Sequence, residues 1–330
     1  MRTNPSPRPR QRTAVLESIK PGERLAAAAT RCGEFTMRRR DRGNQQNALR
    51  SFYLVFLAYA VGGSALAQAQ RPDLSLELVD PKMLRVCADP HNMPFSTEQG
   101  EGFENKLAEL LAAQLGKGLT YTWYPQAPGF VRNTLRAYKC DVVMGIPQGD
   151  DVVQVTNPYY RTAYALVVKQ GRGLDGVDTL RDPRLKAKHL GIVAGTPPAD
   201  NMAVNGLMAN AKPYPLVVDT RVDSSAAAMM RDLAADAIDA AVLWGPMAGY
   251  YARQAASAMT VVPLVKEAGG PRLIYRIAMG VRHTDQDWKR LLNRKIQENQ
   301  DTINKLLLSF GVPLLDEKDQ PLSLDLPPAR

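Results

Sequence analysis

The stretch LRVCADP at residues 84–90, followed after a loop by FENKLAELLAAQLG at 103–116, decides the fold. The first is a short β-rich run that ends in a turn. In the second, Phe103, Leu107, Leu110, Leu111 and Leu115 recur at helical spacing, so the pair reads as a strand followed by an amphipathic helix. Gly116 and Gly118 close that helix, LTYTWYP at 119–125 supplies a second strand, a helix spans 130–138, and CDVVMGIP at 140–147 is a third strand. Strands alternating with helices imply a parallel sheet covered on both faces.

The same grammar restarts with HLGIVAG at 189–195. A helix after Asp200, PLVVD at 215–219, a helix over 224–233, IDAAVLWG at 238–245, a helix through Tyr251 and MTVVPLV at 259–265 make a second α/β unit. RLIYRIAMGV at 272–281 then reads as a strand, and 285–311 as a long amphipathic helical stretch stopped by Gly311 and Pro313. With no third unit to join, these return to the first. The expected organisation is therefore a discontinuous lobe 1 (82–170 plus 272–315), a lobe 2 (175–265) and a C-terminal tail (316–330), with crossings near 169–176 and 266–272. Two lobes joined by paired crossings form a hinged cleft, and ligands sit beyond the carboxyl ends of the strands, here around Asp89, Gly145 and Trp244.

With 330 residues, 45% apolar and 23% charged, the chain can bury two modest cores, which excludes disordered, collagen-like and disulfide-miniprotein classes. The net charge of +9 looks like a nucleic-acid signal. However, residues 1–69 hold 12 Lys and Arg against 4 Asp and Glu, leaving 30 against 29 for the remainder. That balance lacks the footprint a phosphate backbone or an anionic membrane demands.

The basic segment belongs to a leader. From Arg50 the sequence reads RSFYLVFLAYAVGGSALAQAQ: a positive flank, an apolar run of 10 residues at 52–61, a glycine break and two overlapping small-x-small triplets. This is a signal peptide at 50–69, cleaved after Ala67 or Ala69. The apolar run is half of the ~20 residues a membrane-spanning helix needs, so no stable membrane insertion is expected. Residues 1–49 form a basic leader; Met37, followed by an arginine run, is the expected start, which leaves 1–36 untranslated. Asp41, Arg42 and Gly43 argue against a twin-arginine signal. The expected location is periplasmic, reached by the general secretory route in an unfolded state.

Cys32 lies in the leader, so the mature chain carries Cys87 and Cys140. An oxidising compartment favours a disulfide between them. Strand geometry opposes it: if the first and third strands align Asp89 with Gly145 or Ile146, Cys140 falls several residues, at ~3.3 Å each, toward the far end, beyond the ~7 Å Cα limit. A bond and two buried thiols both remain open.

Candidate cleft residues are Asp89, Phe95, Phe130, Tyr159, Tyr160, Trp244 and Tyr250, since aromatics with a polar handle suit a ligand pocket or a protein interface. Trp244 stands out because a strand ends there. Asp89 ends the first strand and equally suits a turn cap. Asp150 and Asp151 sit on a glycine-rich turn and point apart, which suits solvent better than acid–base chemistry. His91, His189 and His283 show no ligand spacing, and no phosphate loop, nucleophile elbow or Ser/His/Asp arrangement is present. No catalytic residue, metal or cofactor is expected.

Several phrases together carry a resemblance: LRVCADP with PF after it, GEGFENKLAELLAAQLG at 100–116, TNPYYRTAYALVVK at 156–169, LGIVAGTPP at 190–198, DAAVLWGPMAGYY at 239–251, and WKRLLN with LLLSFGVPL near the end. The chain resembles the type II periplasmic solute-binding proteins through 82–315. CADP, GFEN, CDVVMG and LWGPMAGYY narrow it to the quinoprotein-dehydrogenase-associated branch, the J-type accessory proteins of PQQ-dependent methanol dehydrogenases. The resemblance implies an α/β type II periplasmic binding fold, two lobes of mixed, mainly parallel sheet around a hinged cleft. It also implies a non-enzymatic accessory whose partner is a PQQ-dependent dehydrogenase or its cytochrome.

Amino-acid receptors of this fold place an Arg after the third strand and an Asp after the late strand of lobe 2. Here GIPQGDDVVQV at 145–155 has no Arg and Trp244-Gly245-Pro246 has no Asp, so recognition of a zwitterion loses its support. Two alternatives stay open: a receptor delivering a small non-amino-acid solute to an ABC permease, and a dehydratase-like enzyme on the same fold.

Overall fold

The computed structural model describes residues 77–149 and 151–322; the leader, the expected signal peptide, Asp150 and the last residues of the expected tail lie outside them. Strand β1 (Met83–Ala88) buries Leu84, Val86, Cys87 and Ala88, as a strand covered on both faces must. Two-residue strands β2 (His91–Asn92) and β3 (Ser96–Thr97) form a small hairpin. Helix α1 (Phe103–Leu115) lays Phe103, Leu107, Ala108 and Leu111 into the core and ends at Gly116, whose φ of 61° is the left-handed cap that glycine adopts without strain. Strand β4 (Gly118–Trp123) runs parallel to β1. Helix α2 is only Phe130–Asn133: after it the Thr134 hydroxyl donates to the Phe130 carbonyl and the chain turns, so the helix expected over 130–138 stops early.

Strand β5 (Val142–Pro147), the short β6 (Gln154–Val155) and the long β7 (Tyr160–Lys169) follow. Next come β8 (Leu190–Val193), α3 (Pro197–Val204), β9 (Ala211–Tyr214), α4 (Ser225–Ala234), β10 (Ala240–Trp244), α5 (Gly245–Gln254), β11 (Met259–Pro263) and β12 (Ile274–Val281). The terminal helical stretch divides at Asn299 into α6 (Gln286–Glu298) and α7 (Gln300–Ser309). The sheet path is β4-β1-β5-β12-β7-β10-β8-β9, with β6 beside β12 and β11 beside β7. The flanks are parallel, whereas β12 and β7 run against their neighbours at the centre.

Strand β7 changes partners midway. Tyr160 to Ala163 pair with β12, while from Tyr164 on it pairs with β10 and from Ala165 with β11. The first crossing therefore lies inside a strand at Ala163 and Tyr164, not at 169–176. The apolar continuity of YALVVK reads the same whichever half of the sheet receives it, so the sequence pattern conceals the switch. The cores respect this division. Leu84, Phe103, Leu111, Met144, Met279 and Leu307 fill the first half. In the second half, alternate residues of β7 go to opposite faces: Leu166 and Val168 join Leu190 and Val242, while Ala165 and Val167 join Met229, Leu233 and Leu243.

Helix α5 fastens the second half to the end of α7. A side chain at Gly249 would collide with the Gly311 carbonyl, and one at Gly245 with the Ala163 carbonyl, so only glycine permits this approach. The Arg253 guanidinium donates to the Leu308 and Ser309 carbonyls at 2.8 and 3.0 Å, supplying partners for the exposed end of α7.

Cys87 and Cys140 are joined by a disulfide with Cα atoms 5.5 Å apart. The register does pair Cys87 with Val143, so Asp89 lies level with Gly145. The straight-strand extrapolation breaks down because Cys140 precedes β5 on a corner. Asp141 anchors that corner: its N–H donates to the Arg85 carbonyl at 2.8 Å and its carboxylate takes bonds from Arg85 and Arg282, each at 2.7 Å. Arg282 also holds the Cys140 carbonyl at 2.6 Å. The sulfurs pack among Phe130, Leu135, Val143 and Ile146.

Candidate functional site

A cavity of about 690 Å³ lies between the loops after β1 and β4 on one side and the starts of α3, α4 and α5 on the other. That volume suits a ligand pocket. Its floor is where β7 switches halves. Trp244 at the end of β10 packs edge-on against Tyr164 of β7 at 5.1 Å and Tyr275 of β12 at 5.6 Å, so three strands meet in one aromatic cluster. Burial pushes the Tyr164 phenol up to about 12, keeping it neutral. The remaining walls come from His91, Gln126, Leu216, Val217, Met247 and Tyr251 among others, and no Asp, Glu, Lys or Arg is among the described lining residues.

Asp89 is buried directly behind this wall. Its carboxylate accepts the backbone N–H of His91 at 2.9 Å and of Gln126 at 2.6 Å, and the Thr220 hydroxyl of the opposite half at 3.1 Å. All three partners line the cavity. Asp89 thus caps a turn, as one reading of the sequence held, and also ties the two sides of the cavity together. Below it, Glu104 in the first turn of α1 is nearly fully buried, and that burial, followed by the charge of Asp89, pushes its carboxyl up to about 8. A Cβ at Gly145 would come within 2.5 Å of the Glu104 carboxyl oxygen, so the strand-end glycine makes room for this acid.

Of the seven expected cleft residues, Trp244 lines the cavity and Asp89 supports it; the other five lie elsewhere. Phe95 packs edge-on against Phe103 at 5.2 Å, and Phe130 is buried beside the disulfide. Tyr159 is fully buried, its hydroxyl donating to the Met144 carbonyl at 2.9 Å, and Tyr160 packs against it and Phe103. Tyr250 stacks on Phe310 in the seam between α5 and α7. Asp151 is exposed on its turn. The physical reason is shared: a large aromatic ring pays less in an apolar core than at a wet wall, and strand-adjacent aromatics close the core first.

Sequence reasoning missed Tyr251, Met247, Tyr164, His91, Gln126 and Thr220. A signal for two of them was present, because Met247 and Tyr251 stand at i and i+4 and so share one face of α5, which turns Tyr250 away. Leu216 and Val217 were expected inside a strand. The strand is instead Ala211–Tyr214, and these two side chains stand more than half exposed at the cavity rim. Among the described residues no group of three His, Cys, Asp or Glu side chains could hold a metal ion, and no helix is long and apolar enough to cross a membrane.

Comparison with known proteins agrees with this architecture. Residues 84–310 match the bacterial extracellular solute-binding proteins, family 3. Protein MoxJ of Methylorubrum extorquens is 30% identical over 269 residues, 76% of this chain and 86% of that protein. The crystal structure of periplasmic binding protein XoxJ from Methylobacterium extorquens AM1 superposes with a TM-score of 0.62 at 43% identity, covering 71% of this chain and all of that one. MxaJ from Methlophaga aminisulfidivorans gives 0.61 at 28% identity, over 70% of this chain and all of that one. A mixed α/β sheet around a cavity, with the family match running over residues 84–310, shows that the chain belongs to the bacterial extracellular solute-binding proteins of family 3 and is a MoxJ-like type II periplasmic binding protein.

Proposed function

We propose that this chain is a periplasmic, non-catalytic accessory of a PQQ-dependent methanol or alcohol dehydrogenase, and that its cavity engages a segment of that dehydrogenase or of its cytochrome during maturation or activation. The observation that carries this reading is the likeness to MoxJ, XoxJ and MxaJ together with a cavity whose described lining offers a zwitterion no Asp, Glu, Lys or Arg. Export by the signal peptide at 50–69 is part of the proposal. A cavity wall made largely of aromatic and aliphatic side chains suits recognition.

Deleting the gene and measuring alcohol-dehydrogenase activity in periplasmic extract, alongside co-purification with the dehydrogenase, tests the reading. Lowered dehydrogenase activity with unaltered nutrient uptake is expected. Normal dehydrogenase activity combined with failed growth on one particular solute would instead select a receptor for an ABC permease, the reading that the solute-binding family itself favours.

A further inference from the structure

Both connections between the two halves pass one spot. β7 leaves β12 at Ala163, and the chain comes back from the second half into β12 through Leu273, whose side chain still belongs to a second-half core. Two residues before the switch, Arg161 of β7 stands opposite Arg276 of β12. Their carbonyls face away from each other: that of Arg161 accepts the Leu315 N–H at 2.9 Å, and that of Arg276 accepts the Gln148 N–H at 2.8 Å. They are therefore a non-hydrogen-bonded pair of the antiparallel ladder, the kind in which side chains stand closest. Two like charges opposed in this way repel and weaken the rungs beside them.

The segment after α7 returns to these arginines. Leu314 and Leu315 are buried, and the Thr162 hydroxyl donates to the Pro313 carbonyl at 2.8 Å, so 313–315 lies along the edge of β7 that faces away from β12. A tight turn then reverses the chain. The Asp316 N–H donates to the Gln320 carbonyl at 2.9 Å, and the Asp316 carboxylate accepts the N–H groups of Lys318 and Gln320, each at 2.8 Å. With Asp316 committed to the turn, Glu317 pairs with Arg276 and Asp319 with Arg161, whose Nε donates to Asp319 Oδ1 at 2.8 Å. Asp319 has a φ of 63°, a left-handed position that favours glycine, yet a carboxylate stands there. A cavity of about 280 Å³, lined by Arg161, Arg276, Glu317, Gln300 and Asn304, lies under the turn, so charge rather than packing holds its tip.

We infer that the acidic turn at 316–320 is an electrostatic latch on the strands that join the two halves: Glu317 and Asp319 neutralise a like-charge pair built into the β7–β12 ladder, and the ladder loosens when that neutralisation is withdrawn. The place gives the latch its effect, because any rotation between the halves has to twist these two strands against each other. The two arms differ in strength. The Arg161 side chain is only 12% exposed and depends on Asp319, whereas the pair of Arg276 (39%) with Glu317 (75%) lies in solvent and is screened by salt. The device is separate from the cavity and from its occupant: Arg276 follows Tyr275 on β12 and so points to the opposite face of the sheet from the aromatic cluster of the cavity floor.

Amide hydrogen exchange over 159–164 and 273–277, read by mass spectrometry on the mature protein, is the test. With Glu317→Gln and Asp319→Asn together, which keep the size and hydrogen-bonding capacity of both side chains, exchange in these two stretches is expected to run about three- to tenfold faster at low ionic strength, with β1 and β8 unchanged. Asp319→Asn alone should account for more of the change than Glu317→Gln alone. Sodium chloride at about 0.5 M should bring the native protein toward the double variant and leave the variant where it is. Adding Arg276→Gln to the double variant removes the like-charge pair and should slow exchange again, which would not happen if the turn merely covered the strands. Exchange in the double variant equal to that of the native protein, a native protein indifferent to salt, or no slowing on addition of Arg276→Gln would each overturn the inference.

Discussion

The hydroxyl of Thr220 donates to the carboxylate of Asp89 from the opposite side of the cavity, 3.1 Å from Oδ1 and 3.4 Å from Oδ2, across 131 residues of sequence. It joins the loop before α4 to the end of β1, and it does so through a carboxylate whose other bonds come from the backbone of the first half. Thr220→Val removes only the cross-cavity bond, so it should cost about 1 kcal/mol or less and speed amide exchange within 215–224. Asp89→Ala leaves two backbone N–H groups without their acceptor and should cost on the order of 2–4 kcal/mol. Hydrogen exchange beside chemical denaturation separates the two; equal destabilisation by both variants would contradict this division of roles.

Glu104 makes stability depend on pH. Its folded value near 8 stands above the ordinary 4.5, so the native state holds a proton that the unfolded chain releases. The stabilisation is complete below the unfolded value and is lost as pH rises toward the folded one, an effect on the order of a few kcal/mol. Asp89, Tyr121, Tyr159 and Tyr160 surround it, and the tyrosines, raised mainly by burial, stay neutral throughout this window. Urea midpoints should therefore fall between about pH 5 and pH 8 in the native protein and fall less in Glu104→Gln. Identical slopes would refute the assignment.

The Cys87–Cys140 bond closes a loop with a sequence separation of 53 residues, which in the chain-entropy description contributes about 4 kcal/mol. Reduction, or the double change Cys87→Ala with Cys140→Ala, should lower the melting temperature markedly without abolishing the fold, since Asp141, Arg85 and Arg282 still hold the corner. A melting temperature unchanged by reductant would contradict it.

Trp244→Ala should open the cavity floor. Its ring contacts Tyr164 and Tyr275 and stays partly exposed, so the expected cost is about 2 kcal/mol, smaller than for a fully buried indole. Thermal melts decide this: a loss of 4 kcal/mol or more, in the ~3–5 kcal/mol range of core aromatics, would mark Trp244 as core.

Period and punctuation made β1, α1, β5, β10 and the strand–helix alternation readable, because each buries a face that only one periodicity can supply. The stretch 211–219 misled for a physical reason. Leu216, Val217 and Val218 form the apolar run that a strand would need, yet their apolar surface faces the cavity. Ala211–Tyr214 instead pairs with β8 as an edge strand, where Pro213 is tolerated. Aromatic residues near strand ends were legible as aromatic but not as core or wall, which is why Phe95, Tyr159 and Tyr160 were placed in the cleft. The contact between Asp89 and Thr220 has no local signature, since neither residue's neighbours encode the other's position.

A strand common to both halves has a kinetic consequence. β7 is hydrogen-bonded to β12 before Tyr164 and to β10 and β11 after it, so swinging the halves apart would mean twisting a continuous ladder or breaking its rungs. The loop over 215–224 is held across the cavity by the bond from Thr220 to Asp89. Loss of that bond would free the loop at the cavity mouth on the nanosecond-to-microsecond scale of loops, whereas any rotation between the halves would have to twist the shared strand itself.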